Sequence, residues 1–278
     1  MKQIFLGIIL FIFLIGCENN NHELKITYIA NCSFLYTCND QKVLTDPFGT
    51  KFGSFFYLPP DSVRSAIDKG KPPFNDINLL LITHIHGDHF DPFPAESYLL
   101  KNPETKMICP RQVYQQMKDS CSQFSKVDAQ IISPAMEMDE MKDTTVNNIP
   151  VTLLRMQHGT DRSLVGVPYS DYTDYEKTEN FGYIIHLDHK NIFHQGDADL
   201  SINGEALKQI KCPIDIAYLG FFDWDSTSYD ILKNKLKAEH VIFMHGTKPA
   251  KELNDPTFIS VKPQIIFFAK EMECKTFD

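Results

Sequence analysis

Basic residues are in the minority in this 278-residue chain. Lys and Arg number 27 against 36 Asp and Glu, for a formal charge of −9 at pH 7. No basic block occurs. Non-specific nucleic-acid binding needs Lys and Arg to neutralise phosphates, so nucleic acid is not expected as a partner. Cys-x-x-Cys is absent too, which removes the signature of a cysteine zinc site or a thioredoxin-like pair. There is no internal repeat and no long linker after residue 23. No convincing serine or cysteine triad stands out. What is present is an ordinary globular balance, 43% hydrophobic and 23% charged, which excludes a disordered, collagen-like or coiled-coil chain.

The first residues do not read as part of a fold. Ile4 to Ile15 is apolar except for Gly7, and Lys2 is the only charge before Cys17. The run is shorter than the roughly 20 residues a spanning helix needs and fits the apolar core of a secretory signal. Leu14-Ile15-Gly16-Cys17 resembles a bacterial lipobox. It implies cleavage before Cys17 and a lipid on its thiol. The organisation expected is a signal over 1–16, a polar tether over 17–23 and one hydrolase domain over 24–278. The mature protein would then be an exported, membrane-anchored lipoprotein of the cell envelope, facing the periplasm or the cell surface. Six further cysteines, Cys32, Cys38, Cys109, Cys121, Cys212 and Cys274, could oxidise in an exported protein, in pairings the sequence does not choose, and a few buried free thiols are the expected state.

Strand signals crowd the first half: 25–29, 33–37, 42–45 and the nearly continuous apolar run 77–83. The spacing predicts helices over 94–101 and 111–120 and strands over 131–133 and 149–156. The second half alternates. Strands are expected over 181–187, 191–194, 214–219, 240–244 and 264–268, with helices over 205–210 and 229–236. Early strands followed by strand–helix alternation suggest two sheets covered by helices.

The strongest chemical signal is Thr83-His84-Ile85-His86-Gly87-Asp88-His89, directly after a buried strand. His84 and His86 stand two apart, so an extended segment aims both to one side. Gly87 permits a sharp turn that swings Asp88 and His89 to a second point. Imidazole and carboxylate are ligands for zinc and other first-row metals. Packing is a poor account of so much polar surface at a core strand's end. His158, Asp197, His245 and Asp46 each follow an apolar strand as well, and most are flanked by glycine.

His84-x-His86-x-Asp88-His89, then His158, Gly196-Asp197 and His245 in this order, resembles the metallo-β-lactamase superfamily. The resemblance covers nearly all of residues 24–268. Asp46-Pro47, Phe193-His194-x-Gly196-Asp197 and Met244-His245-Gly246 are most similar to the ascorbate-6-phosphate lactonase-like and N-acylethanolamine phospholipase D-like branches. It implies an α/β fold, the four-layer αββα sandwich, with its site at one edge. His84, His86 and His158 would hold one divalent ion, and Asp88, His89 and His245 a second. Asp197 would bridge them with one oxygen on each, so that Asp88 and Asp197 are the catalytic carboxylates. Asp46, His194 and Asp199 would orient the ligands. Asn31 departs from the pattern, since a histidine often stands there.

Two metal ions, with zinc ahead of manganese or iron, would act through a bridging hydroxide on a small ester, lactone or phosphodiester. True β-lactamases carry cysteine where Asp197 stands, and flavin-linked di-iron members carry glutamate where His86 stands. Both differences argue against those chemistries. A phospholipase D-like action on membrane lipid, or a non-enzymatic metal-binding lipoprotein, are the alternatives. Tyr57, in the aromatic loop with Phe55 and Phe56, and Tyr172, in the loop with Tyr169 and Tyr175, are expected to border the small-molecule or lipid substrate.

Overall fold

The computed structural model describes residues 23–50, 57–159, 177–220, 226–245 and 265–277. The first half forms β1 (Leu24–Ala30), β2 (Ser33–Cys38), β3 (Gln41–Thr45), α1 (Asp61–Asp68), β4 (Leu79–Leu81), α2 (Pro92–Lys101), β5 (Lys106–Ile108), α3 (Arg111–Ser120), the single-turn α4 (Phe124–Val127) and β6 (Ile131–Ile132). The second half forms β7 (Met141–Val146), β8 (Ile149–Gln157), β9 (Glu179–Leu187), β10 (Lys190–His194), α5 (Gly204–Gln209), β11 (Ile216–Gly220), α6 (Ser226–Asp230), β12 (His240–Met244), β13 (Ile265–Ile266) and β14 (Cys274–Phe277). A π-helical turn, Ile231–Lys235, follows α6.

Period-two alternation sorts these strands into layers. Leu79 and Leu81 face one apolar cluster, shared with Phe34, Tyr183, Tyr218 and Ile242. Leu80 and Ile82 face another, shared with Tyr98, Leu99, Val113 and Met117 of α2 and α3. The first cluster is the seam between two seven-stranded sheets, ordered β14-β1-β2-β3-β4-β5-β6 and β13-β12-β11-β10-β9-β8-β7. A third cluster packs Leu207 of α5 and Leu232 against the outer face of the second sheet, through Phe193, Leu219 and Val241. The result is helix, sheet, sheet, helix: the αββα sandwich. A strand buried on both faces must be apolar at every position, which is why 79–82 reads as a continuous run.

Strand direction sets where the site falls. β1 and β2 are antiparallel, as are β2 and β3, while β3 and β4 are parallel. So β1, β3 and β4 point the same way. In the second sheet β8, β10, β11 and β12 share one direction by the same reasoning. Ligands in open α/β sheets bind beyond the carboxyl ends of the strands. Asp46, Thr83-His84, His158, His194 and His245 all stand at such ends.

Several elements differ from the sequence expectation. Helix α2 begins at Pro92, not 94, because Asp91 caps it: Oδ1 accepts from the Phe93 amide at 2.9 Å. Pro92 then sits at the first helical position, where its missing amide proton does no harm. Strand pairing over 77–83 is confined to 79–81. α1, β5, β7 and β14 are not among the elements the sequence predicts. β14 is an edge strand with half-exposed polar residues, and it pairs with β1 from Leu24↔Phe277 to Thr27↔Cys274. All six cysteines after Cys17 are free thiols, with Cys32, Cys38, Cys109 and Cys121 buried.

Candidate metal centre

Three loops leave neighbouring strand ends and lock against one another. Asp46, with φ at +41°, ends β3 and turns its carboxylate onto the segment after β4. Its Oδ1 accepts from the Thr83 amide at 2.8 Å, and its Oδ2 from the Thr83 hydroxyl at 2.7 Å and His89 Nδ1 at 2.8 Å. Further along, the Thr50 amide donates to Gly87 O at 2.9 Å. A Cβ on Gly49 would lie 2.1 Å from Asp88 O, so only glycine lets this loop pass. In the second sheet, Gly196 adopts φ of +61°, and a Cβ there would meet Asn180 Oδ1 at 2.4 Å and Thr83 Cβ at 2.8 Å. Asn180 Oδ1 accepts from the Asp197 amide at 3.0 Å. The Gly159 amide donates to Asp197 O at 2.7 Å, which ties the His158 strand end to Asp197.

His84, His86 and His158 come together. His84 Nε2 lies 3.0 Å from His86 Nδ1 and 3.3 Å from His158 Nε2. Tetrahedral ligands at zinc–nitrogen distances stand about 3.3 Å apart. The hydrogen-bond partners fix two tautomers. His158 Nδ1 donates to Gly159 O at 2.6 Å. The Thr83 hydroxyl proton goes to Asp46, so Thr83 Oγ1 accepts from His84 Nδ1 at 3.0 Å. Both Nε2 atoms therefore carry lone pairs, and they face each other. Burial, reinforced by the charge of His89, holds His84 well below the ordinary histidine range. Burial likewise lowers His158, and burial with His158 brings His86 down to about 3. Neutral imidazoles with converging lone pairs are what a cation requires.

The second group is built around carboxylates. Asp197 Oδ2 lies 3.0 Å from His245 Nε2 and 3.4 Å from His89 Nε2. The same oxygen lies 3.7 Å from both His84 Nε2 and His158 Nε2. Thus one oxygen, not two, stands between the two groups of imidazoles, and Oδ1 turns instead to Cys32 Sγ at 3.7 Å. Asp88 Oδ2 is 3.2 Å from His89 Nε2 and 3.3 Å from His245 Nε2. Its Oδ1 is buried and accepts no hydrogen bond. Burial opposes a charge on His245, yet Asp197 and Asp88 push it up to about 9. Burial opposes it on His89 as well, and Asp197, Asp88 and Asp46 raise that ring well above its usual value. Burial also opposes ionisation of Asp197 and Asp88, but these imidazoles hold both below the carboxylate range. Such concentrated buried negative charge calls for compensating cations, whether protons or metal. Orphaned Asp88 Oδ1 and the opposed lone pairs together fit a metal centre.

The remaining expected residues fall as follows. His194 joins two loops of the site: its Nε2 donates to Cys32 O at 2.9 Å, and its Nδ1 accepts from the Gly196 amide at 3.2 Å. Asp199 does not orient a ligand with its carboxylate. Oδ1 caps the next turn, accepting from the Ser201 amide at 2.8 Å and hydroxyl at 2.6 Å. Its reach to the site is through Asn203, which bonds both Asp199 O and Gln157 O, next to His158. Tyr57 lies half buried ahead of α1. Cys17, Tyr172 and the tyrosine loop around it lie outside the described residues.

Two site residues, Cys32 and Asn180, escaped the sequence reading, and Asn31 entered it only as a departure from the family pattern. Asn31, with φ at +49° in the β1–β2 turn, donates from Nδ2 to Asp88 Oδ2 at 2.9 Å, and its carbonyl takes the His245 amide at 3.2 Å. Cys32 brings its sulfur within 4.8 Å of ligand atoms of His89, Asp197 and His245. A polar pair directly after the apolar end of β1 was the available signal, the same one that marks Thr83-His84. Asn180 sits inside β9 and left none.

This chain belongs to the β-lactamase superfamily: the family model described as Beta-lactamase superfamily domain matches residues 25–245. Within it the chain is similar to a UPF0173 metal-dependent hydrolase of Pyrococcus furiosus, at 25% identity over 225 residues, covering 80% of this chain and 84% of that protein. The fold is shared with Igni18, a metallo hydrolase from the archaeon Ignicoccus hospitalis, at a TM-score of 0.60 and 17% identity over 92% of this chain and 99% of that one. It is also shared with an isothiocyanate hydrolase from Delia radicum gut bacteria, at a TM-score of 0.55 and 14% identity over 91% and 99%. The protein is a metal-dependent hydrolase of the metallo-β-lactamase superfamily.

Proposed function

We propose that the protein is a binuclear hydrolase of a small ester, lactone or phosphodiester, with zinc ahead of manganese or iron. His84, His86 and His158 would hold one ion, and Asp88, His89 and His245 the other. Asp197 would serve both. The observation that carries this reading is the single Asp197 oxygen lying within 3.7 Å of four imidazole nitrogens drawn from both groups. Bound divalent ions supply Lewis acidity and a water nucleophile at neutral pH, so no serine or cysteine nucleophile is needed. The chain's own residues supply order. Asp46 keeps a proton on His89 Nδ1, and Gly159 O keeps one on His158 Nδ1. Each ring then presents Nε2 to the centre. Asn31 fixes the Asp88 carboxylate.

The apolar run ending at Cys17 supports an exported lipoprotein with its hydrolase domain from residue 24 onward, and Asp46-Pro47, Phe193-His194-x-Gly196-Asp197 and Met244-His245-Gly246 support the ascorbate-6-phosphate lactonase-like or N-acylethanolamine phospholipase D-like branches. The apolar run also keeps a membrane lipid as the second substrate class. Two measurements test the reading. Elemental analysis of protein purified without chelator should give about two metals per chain, and a panel of chromogenic phosphodiesters, lactones, β-lactams and lipids with defined metals should show metal-dependent turnover. At most one metal under saturating zinc and manganese refutes the binuclear reading. Cys17→Ser should abolish lipid attachment; a wild-type protein found lipid-free and wholly soluble refutes the anchor.

A further inference from the structure

The β1–β2 turn contributes more to the centre than support. Cys32 is fully buried. Its sulfur, one ring nitrogen each of His89 and His245, and one Asp197 oxygen all lie within 4.8 Å of one another. Asp197 Oδ2 stands 3.0 Å from His245 Nε2 and 3.4 Å from His89 Nε2, and its other oxygen, Oδ1, stands 3.7 Å from the Cys32 sulfur. Donors around one tetrahedral zinc, with sulfur at about 2.3 Å and nitrogen or oxygen at about 2.0–2.2 Å, stand about 3.2–3.7 Å apart. Asn31 engages Asp88 Oδ2, which leaves Asp88 Oδ1 open. Asp88 Oδ1, buried and without a hydrogen bond on a carboxylate whose other oxygen lies 3.2 Å from His89 Nε2 and 3.3 Å from His245 Nε2, is an independent sign that a cation is received here. Backbone contacts hold the sulfur in place: His194 Nε2 grips Cys32 O, and Thr45 Oγ1 donates to the same carbonyl at 3.3 Å.

We infer that Cys32 is an additional, thiolate ligand of the second metal ion, joining Asp88, His89, His245 and the shared Asp197. This deepens the binuclear reading and rests on it. On ligation the S–H bond breaks, its proton passes to solvent, and a sulfur lone pair bonds the ion; nothing is oxidised or reduced. A soft sulfur donor makes this position select zinc, cobalt or iron over manganese, whereas the three-imidazole position has no such bias. The alternative role for the thiol is a hydrogen bond that only steadies Asp197 Oδ1.

Cobalt substitution of the full chain separates these. Chelator-stripped protein titrated with cobalt(II) should bind two ions and develop a near-ultraviolet thiolate-to-cobalt charge-transfer band with the ion that fills the second position. Cys32→Ser should keep the three-imidazole ion, lose the band and bind the second ion at least ~10-fold more weakly. Should that variant fail to fold, Cys32→Ala and X-ray absorption of zinc-loaded wild type answer the same question, through sulfur scattering at about 2.3 Å. Two bound cobalt ions with no such band, or a band that survives in Cys32→Ser, overturns the thiolate ligand and leaves the binuclear centre standing. Failure to bind cobalt at all overturns both.

Discussion

Replacing Asp46 by asparagine tests how the chain sets the protonation of its own ligands. The carboxylate accepts three hydrogen bonds, two at Thr83 and one at His89 Nδ1. An amide of the same shape keeps one acceptor oxygen. With that oxygen on the Thr83 amide, its NH2 group faces Thr83 Oγ1 and His89 Nδ1. The hydroxyl can rotate and accept. His89 Nδ1 can accept only by giving up its proton, and a neutral ring then carries the proton on Nε2. That nitrogen is the one 3.2 Å from Asp88 and 3.4 Å from Asp197, so a protonated Nε2 removes a metal ligand.

Partners that orient a ligating histidine are worth about 10–100-fold in metal affinity, or about 1.4–2.7 kcal/mol. The lost charge-assisted bond should lower fold stability by about 1.5–3 kcal/mol as well. Affinities of the two ions, measured by competition with a chromophoric chelator, should therefore separate in Asp46→Asn: the second weakens 10–100-fold by this estimate, and the first is nearly unchanged. Nitrogen-15 shifts of the imidazoles report the tautomer directly. Two ions bound at wild-type affinity, with His89 still protonated at Nδ1, would refute the reasoning.

Asp197→Asn keeps the shape of the hub but removes the charge between the two groups, so metal content should fall from about two per chain toward one and turnover by at least ~100-fold; full activity in this variant contradicts the shared-ligand role. Gly196→Ala drives a Cβ into Asn180 and Thr83 at a positive φ, so denaturant unfolding should show a loss of about 2–4 kcal/mol. In metal-free protein His245, held up to about 9, favours the folded state fully below its unfolded value of about 6.5 and loses that contribution as pH rises through 9. Chelator-treated protein should therefore melt lower at the alkaline end of this window, and saturating zinc should remove the trend. The same protons compete with metal, so second-ion affinity should weaken as pH falls; a pH-independent affinity would show that His245 does not bind there.

The sequence alone carried the chemistry that neighbours could encode. The run 77–83 announced a strand buried on both faces, and the histidines following it could be neither packed nor left dry, so a metal-binding motif was legible from residue types and spacing. The αββα architecture followed from its resemblance to known motif order, and the fold bears it out. Strand direction and sheet pairing are long-range facts, and they alone made one edge of His84, His158, Asp197 and His245, which lie as far as 161 positions apart. They also gave Asn31, marked in the sequence only as a departure from the family pattern, its place beside Asp88, and brought in Cys32 and Asn180, a polar residue within a strand. Asp199 shows the converse: a carboxylate two residues from Asp197 looked like part of the site, but the backbone turned it onto Ser201. Local sequence chooses which groups are available; tertiary pairing decides which of them share a few ångströms of buried space, because hydrogen-bonded strand ends, not sequence distance, fix where side chains converge.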